Sequence, residues 1–259
     1  MNDILLNHRD QNIETVTLNR PQKLNALSID LWQQVAKIMH RLSDDQKLRC
    51  IVLRGAGEKA FSPGADISEF EEHRSNRQQA RNYGQLIHNA MQAIRQCRHP
   101  VIAMIQGVCV GGGLELASMC DLRICSESSR FGVPINRIGI TMAYPEIIAL
   151  IDLVGRSTAL EILLEGRVFS AQEAKNKGLV TRVVQDNQLE KETYQTAHRI
   201  ASGAPLANSL HKKFAYRLLD PKPLTPEELD EGFKIVGTKD HQEGYKSFLN
   251  KSKPRFTGH

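Results

Sequence analysis

The stretch Ile105–Asp121, IQGVCVGGGLELASMCD, decides the reading of this chain. It closes an apolar, β-favouring run, Val101, Ile102, Ala103, Met104 and Ile105, which predicts a strand. Gly111, Gly112 and Gly113 follow, where only a residue without Cβ lets the backbone turn sharply or approach a ligand closely. Leu114–Met119 then supplies mostly good helix formers. Strand, glycine turn and helix together aim free backbone N–H groups and a positive helix end at one point. Such a point suits a bound anion, or an oxyanion formed during reaction. Glu115 falls in the first helical turn, which sets a carboxylate within reach of it.

Outward from this stretch, strand and helix patterns alternate. Two β-like segments open the chain, Ile4–Leu6 and Ile13–Leu18, before Pro21 breaks the pattern. Ser28 or Asp30 is placed to cap a helix running to Leu42, with Leu31, Val35, Ile38, Met39 and Leu42 on its apolar face. Cys50–Leu53 has the pattern of a buried strand, and GAGEKAFSPGADI after it reads as a glycine-rich loop. A helix is expected over Gln79–Cys97, a strand over Leu122–Cys125 and a loop around Phe131–Gly139. The alternation argues for an α/β fold with parallel strands.

From Tyr144 the pattern is mostly helical, with helices expected at Glu146–Val154, Thr158–Glu165, Ala171–Lys177, Leu189–Ser202, Ala207–Leu219 and Pro226–Asn250. One β segment, Thr181–Val184, interrupts them. No sequence repeat with a period of about 20 to 50 residues is present. The expected division is an α/β core over residues 1–195 and a helical extension over 196–259.

Composition narrows the function classes. No run of about 18 apolar residues predicts a membrane span, and the opening MNDILLNHRDQ lacks the pattern of a secretory signal. The net charge of +5 comes from basic residues scattered among acids, and aromatics make up 5%. A nucleic-acid partner is therefore not expected, since that footprint needs clustered basic residues on one face. The five cysteines form no C-x-x-C pair and stand mostly among apolar residues, as expected of buried thiols in a reducing cytoplasm. No metal-ligand spacing is present, and the histidines, His99 among them, are expected in surface or cap positions.

Five segments taken in order resemble one family. LNRPQKLNALS, FSPGADI, IQGVCVGGGLELASMCD, FGVPINRIGI and FSAQEAKNKGLV are similar to the motifs of the crotonase (enoyl-CoA hydratase/isomerase) superfamily, from Ile13 to the closing KPRF. The resemblance implies an α/β spiral of repeated ββα units. It also implies a helical C-terminal region for trimerisation, as a homotrimer or dimer of trimers, and an acyl-CoA thioester substrate. No metal or redox cofactor is implied, coenzyme A arriving as part of the substrate.

By the same resemblance, the amides of Ala65 and Gly112 hold the thioester enolate, and Glu115 handles the proton or the water. Ala65, Asp66, Ile67 and Ser68 then line the CoA path, with Leu24 and Ala26 against the same ligand. The family's hydratases carry a second glutamate just after the proline of F-G-x-P, where this chain has Ile135. Glu146 and Tyr144 are the two candidates for a replacement group. The leading expectation is hydratase-like lyase chemistry. Double-bond isomerisation, malonyl-type decarboxylation and a non-catalytic CoA- or RNA-binding relative stand as alternatives.

Overall fold

The structure, a computed structural model, describes residues 5–259. Its first half holds β1 (Leu5–Asp10), β2 (Ile13–Leu18), α1 (Ile29–Asp44), β3 (Cys50–Gly55), β4 (Ala60–Ser62), α2 (Phe70–His73) and α3 (Arg77–Arg95). Then come β5 (Val101–Ile105), β6 (Val108–Val110), α4 (Gly112–Ser118), β7 (Leu122–Ser126), β8 (Arg130–Gly132) and α5 (Tyr144–Glu165). The remainder comprises β9 (Phe169–Ser170), α6 (Ala171–Asn176), β10 (Arg182–Val184), α7 (Leu189–Ala201), α8 (Pro205–Arg217), α9 (Pro226–Glu231) and α10 (Lys239–Leu249). The part of the first expected strand at Ile4 lies outside the described residues.

The strands sort into two sheets. One has the order β1-β2-β3-β5-β7-β10, parallel throughout except for β1 against β2, and the other has the order β4-β6-β8-β9. Each of the pairs β3/β4, β5/β6 and β7/β8 sends its first strand to the large sheet and its second to the small one, with helical chain after it. This is the ββα spiral. Its turns begin at Cys50, Val101 and Leu122, so the uneven spacing leaves no period in the sequence.

Alternation along the strands explains why β3 and β5 read as continuous apolar runs. Ile51, Leu53, Val101, Ala103 and Ile105 join the main core with Trp32, Phe61 and Phe131. Cys50, Val52, Ile102 and Met104 face the other way and pack with Leu189 and Ala197 of α7. A parallel sheet covered on both faces has no polar side to show. Because α7 spans Leu189–Ala201, the division expected after residue 195 falls inside a helix that covers the large sheet.

Several expectations are corrected. The glycine-rich loop after β3 contains β4, and the loop expected at Phe131–Gly139 holds β8 and a 3-10 turn over Pro134–Ile138. By contrast, the two helices expected at Glu146–Val154 and Thr158–Glu165 are present as the two limbs of α5, separated at Gly155, whose φ of 76° and ψ of 159° are not helical. The long helix expected over Pro226–Asn250 is α9, a 3-10 segment Gly232–Gly237, and α10 restarted by a Thr238 cap. Gly232 and Gly237 bracket the interruption, where glycine weakens helical continuity. Ser28, not Asp30, caps α1, its hydroxyl accepting from the Leu31 amide. His99 is buried at 4% exposure rather than on the surface, and its carbonyl accepts from Lys212 Nζ.

Candidate active site

Two turns of chain meet where the glycines allow it. Gly64 has φ +100°, and a Cβ there would stand 2.8 Å from the Gly112 nitrogen. Gly113 is pressed on β4 so closely that a Cβ would fall 2.2 Å from the Ser62 carbonyl oxygen. No side chain fits at either place. The contact sets the N-terminus of α4 against the Pro63–Asp66 turn.

The backbone pattern then frees two donors. Leu27 and Ala65 form a parallel bridge, in which Leu27 N donates to the Gly64 carbonyl and Asp66 N donates to the Leu27 carbonyl. Successive amides of an extended chain point to opposite sides, so the Ala65 N–H faces away from Leu27. The Gly112 N–H opens α4 and has no carbonyl one turn earlier to bond. Among the described residues neither amide has a backbone acceptor, and both residues line the same cavity. The Ala65 nitrogen lies 3.5 Å from where a Gly112 Cβ would be.

That cavity has a volume of about 380 Å³, a size that suits an acyl group rather than a whole coenzyme. Its walls are largely apolar, with Trp32, Phe70, Ile87, Ile135 and Met142 contributing, and Glu115 and Glu146 both line it. Glu115 is 8% exposed, and its carboxyl has no hydrogen-bond partner among the described residues. Burial pushes it up to about 7, repulsion from Glu146 adds to the rise, and Arg74 opposes it. Glu146 is 6% exposed in the first turn of α5, with its Oε2 atom buried and unpartnered. Two carboxyl groups thus share one desolvated space.

The other sequence candidates divide. Tyr144 does not line the cavity: as the first residue of α5 its side chain is 90% exposed, one helix position pair away from the inward Glu146. Asp66 is structural in its contacts. Burial alone would raise its carboxyl, but Ser68, Arg20 and Lys23 donate to it and hold it well below the usual carboxylate range. Arg20 also donates to the Ala26 carbonyl, so this cluster ties the Leu24–Ala26 turn to the Ala65–Ser68 turn. Ile67 lines the cavity, whereas Leu24, Ala26 and Ser68 do not: Leu24 and Ser68 are exposed and Ala26 is buried. Arg74 is one of the cavity residues that sequence reasoning missed. It stands in a polar run, EFEEHRSNRQ, with no apolar period to orient it.

A ββα spiral with a free pair of backbone donors beside a buried carboxyl group defines the crotonase-fold enzymes. A family model described as enoyl-CoA hydratase/isomerase matches residues 8–259, and the chain belongs to that family. It is 32% identical to a short-chain-enoyl-CoA hydratase of Clostridium acetobutylicum, over 98% of this chain and 97% of that one. It is 33% identical to a crotonyl-CoA hydratase of Syntrophomonas wolfei, over 96% and 95%. A crystal structure of an enoyl-CoA hydratase/carnithine racemase from Magnetospirillum magneticum superposes with a TM-score of 0.98 at 49% identity, covering 99% of this chain and 96% of that one.

Proposed function

We propose that the protein is a hydratase-type lyase acting on α,β-unsaturated acyl-CoA thioesters, with Glu115 and Glu146 as its two proton-handling groups. The observation that carries this reading is the pair of buried carboxyl groups in one apolar cavity next to the Ala65 and Gly112 amides.

In this reading the thioester carbonyl oxygen accepts from the two amides, with Ala65–Ser68, Leu24 and Ala26 along the CoA path. One carboxylate takes a proton from water as the oxygen attacks the β-carbon. The enolate that forms is stabilised by the paired amides, and the other carboxyl group delivers a proton to the α-carbon. A group poised near 7 both holds and releases a proton at neutral pH, which fits Glu115. Glu146 stands in for the glutamate that the family's hydratases carry where this chain has Ile135. No metal or redox step is needed, and coenzyme A belongs to the substrate.

The second reading is double-bond isomerisation, favoured by Ile135, which leaves an apolar wall where a hydratase places its second glutamate. Assembly as a homotrimer or dimer of trimers belongs to the same proposal, supported by exposed Leu218, Leu229, Phe233 and Phe248 in the C-terminal helices. Five buried free thiols suit a reducing cytoplasm, and no helix of the described residues is long and apolar enough to cross a membrane. An assay of the purified protein with crotonyl-CoA tests the leading reading. Loss of the enoyl chromophore is expected, with a drop of about 10²- to 10⁴-fold in kcat for Glu115→Gln. Binding without hydration would overturn it and leave isomerase substrates to be tried.

A further inference from the structure

We infer that Arg74 selects acyl-CoA esters whose acyl group ends in a carboxylate. The inference rests on the acyl-CoA reading of the cavity and names the substrate class within it.

Arg74 closes the short helix α2 and lines the cavity together with Phe70 and Gly84. Its guanidinium lies 5.0 Å from the centre of the Phe70 ring and 5.5 Å from that of Tyr83. These rings meet edge to face, at 5.8 Å and 80°. Both rings lie within cation–π range of the guanidinium, whose five N–H donors fan out in one plane. No carboxylate or carbonyl of the described residues accepts from the Arg74 side chain. The rings flank the cation, and its donors are left without an acceptor among the described residues.

What those donors suit follows from the planar fork, which pairs two N–H groups with two oxygens of a carboxylate. The place is the acyl end of the site, because Arg74 lines the same cavity as Glu115, the group assigned to the reacting carbons, and acts on it electrostatically. An acyl chain ending in a carboxylate brings a negative charge into a space that already holds Glu115 and Glu146. Arg74 offsets that repulsion. Arg137 also lines the cavity but is exposed at its surface, where water screens a charge pair.

Equilibrium binding to the native assembly by calorimetry tests this with two unreactive esters, butyryl-CoA and the mono-CoA thioester of glutaric acid. The carboxylated ester is expected to bind more tightly. Arg74→Met is expected to cut that preference by about 10- to 100-fold, the range of a charge-assisted hydrogen bond in a desolvated site. Arg74→Lys should recover only part of it, since an ammonium lacks the fork. Arg137→Met should leave most of it.

Equal affinity of the native protein for both esters would overturn the inference. So would equal losses for both esters in Arg74→Met, which would mean that the side chain serves the CoA phosphates common to the two. A preference for the acid that vanishes with Arg74, in a protein that hydrates neither crotonyl-CoA nor its carboxylated homologue, would uphold the inference and sink the hydratase reading alone.

Discussion

Glu115 and Glu146 illustrate how differently two glutamates can announce themselves. Glu115 is legible because it follows three glycines that have no other reason to be consecutive in a strand-to-helix turn. Glu146 follows a proline at a helix start, a place where acids favour the helix dipole in any protein. Only the burial of its carboxyl beside Glu115 distinguishes it. Tyr144, two positions earlier, drew the same attention and points to solvent. A pH profile measures the coupling directly. In Glu146→Gln a like charge is removed, the charged form of Glu115 is favoured, and its titration falls from about 7 toward the ordinary carboxylate range. The corresponding limb of the kcat/KM profile is expected to move to lower pH. A limb that stays in place would mean that the two groups do not interact in the working enzyme.

At the scale of elements, the site is a matter of close approach. The Ala65 amide is freed by the Leu27 bridge, and the Gly112 amide is brought beside it because Gly64 and Gly113 present no Cβ to the facing backbone. Gly64→Ala places a methyl group 2.8 Å from the Gly112 nitrogen on a residue whose φ is +100°. The donors must part, and kcat is expected to fall by about 10²- to 10³-fold, as for loss of one oxyanion donor. Binding of saturated acyl-CoA esters should change much less. Equal losses in kcat and affinity would instead indicate general disruption of the turn. The small sheet that carries this geometry was invisible beforehand. β4, β6 and β8 have three residues each, too few for a period of two to register. The large-sheet strands and the amphipathic α1 and α3 were legible because each has a face buried over many residues.

The whole molecule shows an asymmetry between its halves. The α/β half buries Trp32, Phe61 and Phe131 completely, whereas α8, α9 and the 3-10 segment after them have no buried residue. Leu229 at 62% exposure and Phe233 at 71% are costly for a free surface and appropriate for one covered by another copy. Sedimentation of the native protein is expected to give a trimer or a dimer of trimers, and Leu229→Glu/Phe233→Glu to give smaller species. An unchanged assembly in that variant would place the interface elsewhere. The tail is tied down within the chain, as Thr257 N and Gly258 N both donate to the buried Asp240.

What the sequence determined by itself was local and repeated: apolar runs for strands buried on both faces, helical faces, and a glycine turn with its carboxylate. Those signals are legible because each depends on spacing along the chain. The tertiary structure alone decided which groups share the cavity. Glu146 comes from a helix 31 residues past Glu115, and Arg74 from a polar segment before α3. Their electrostatic relation exists only through space and in a desolvated site, so no spacing records it. The same holds for the two amides, whose pairing depends on backbone meeting backbone where a Cβ is missing.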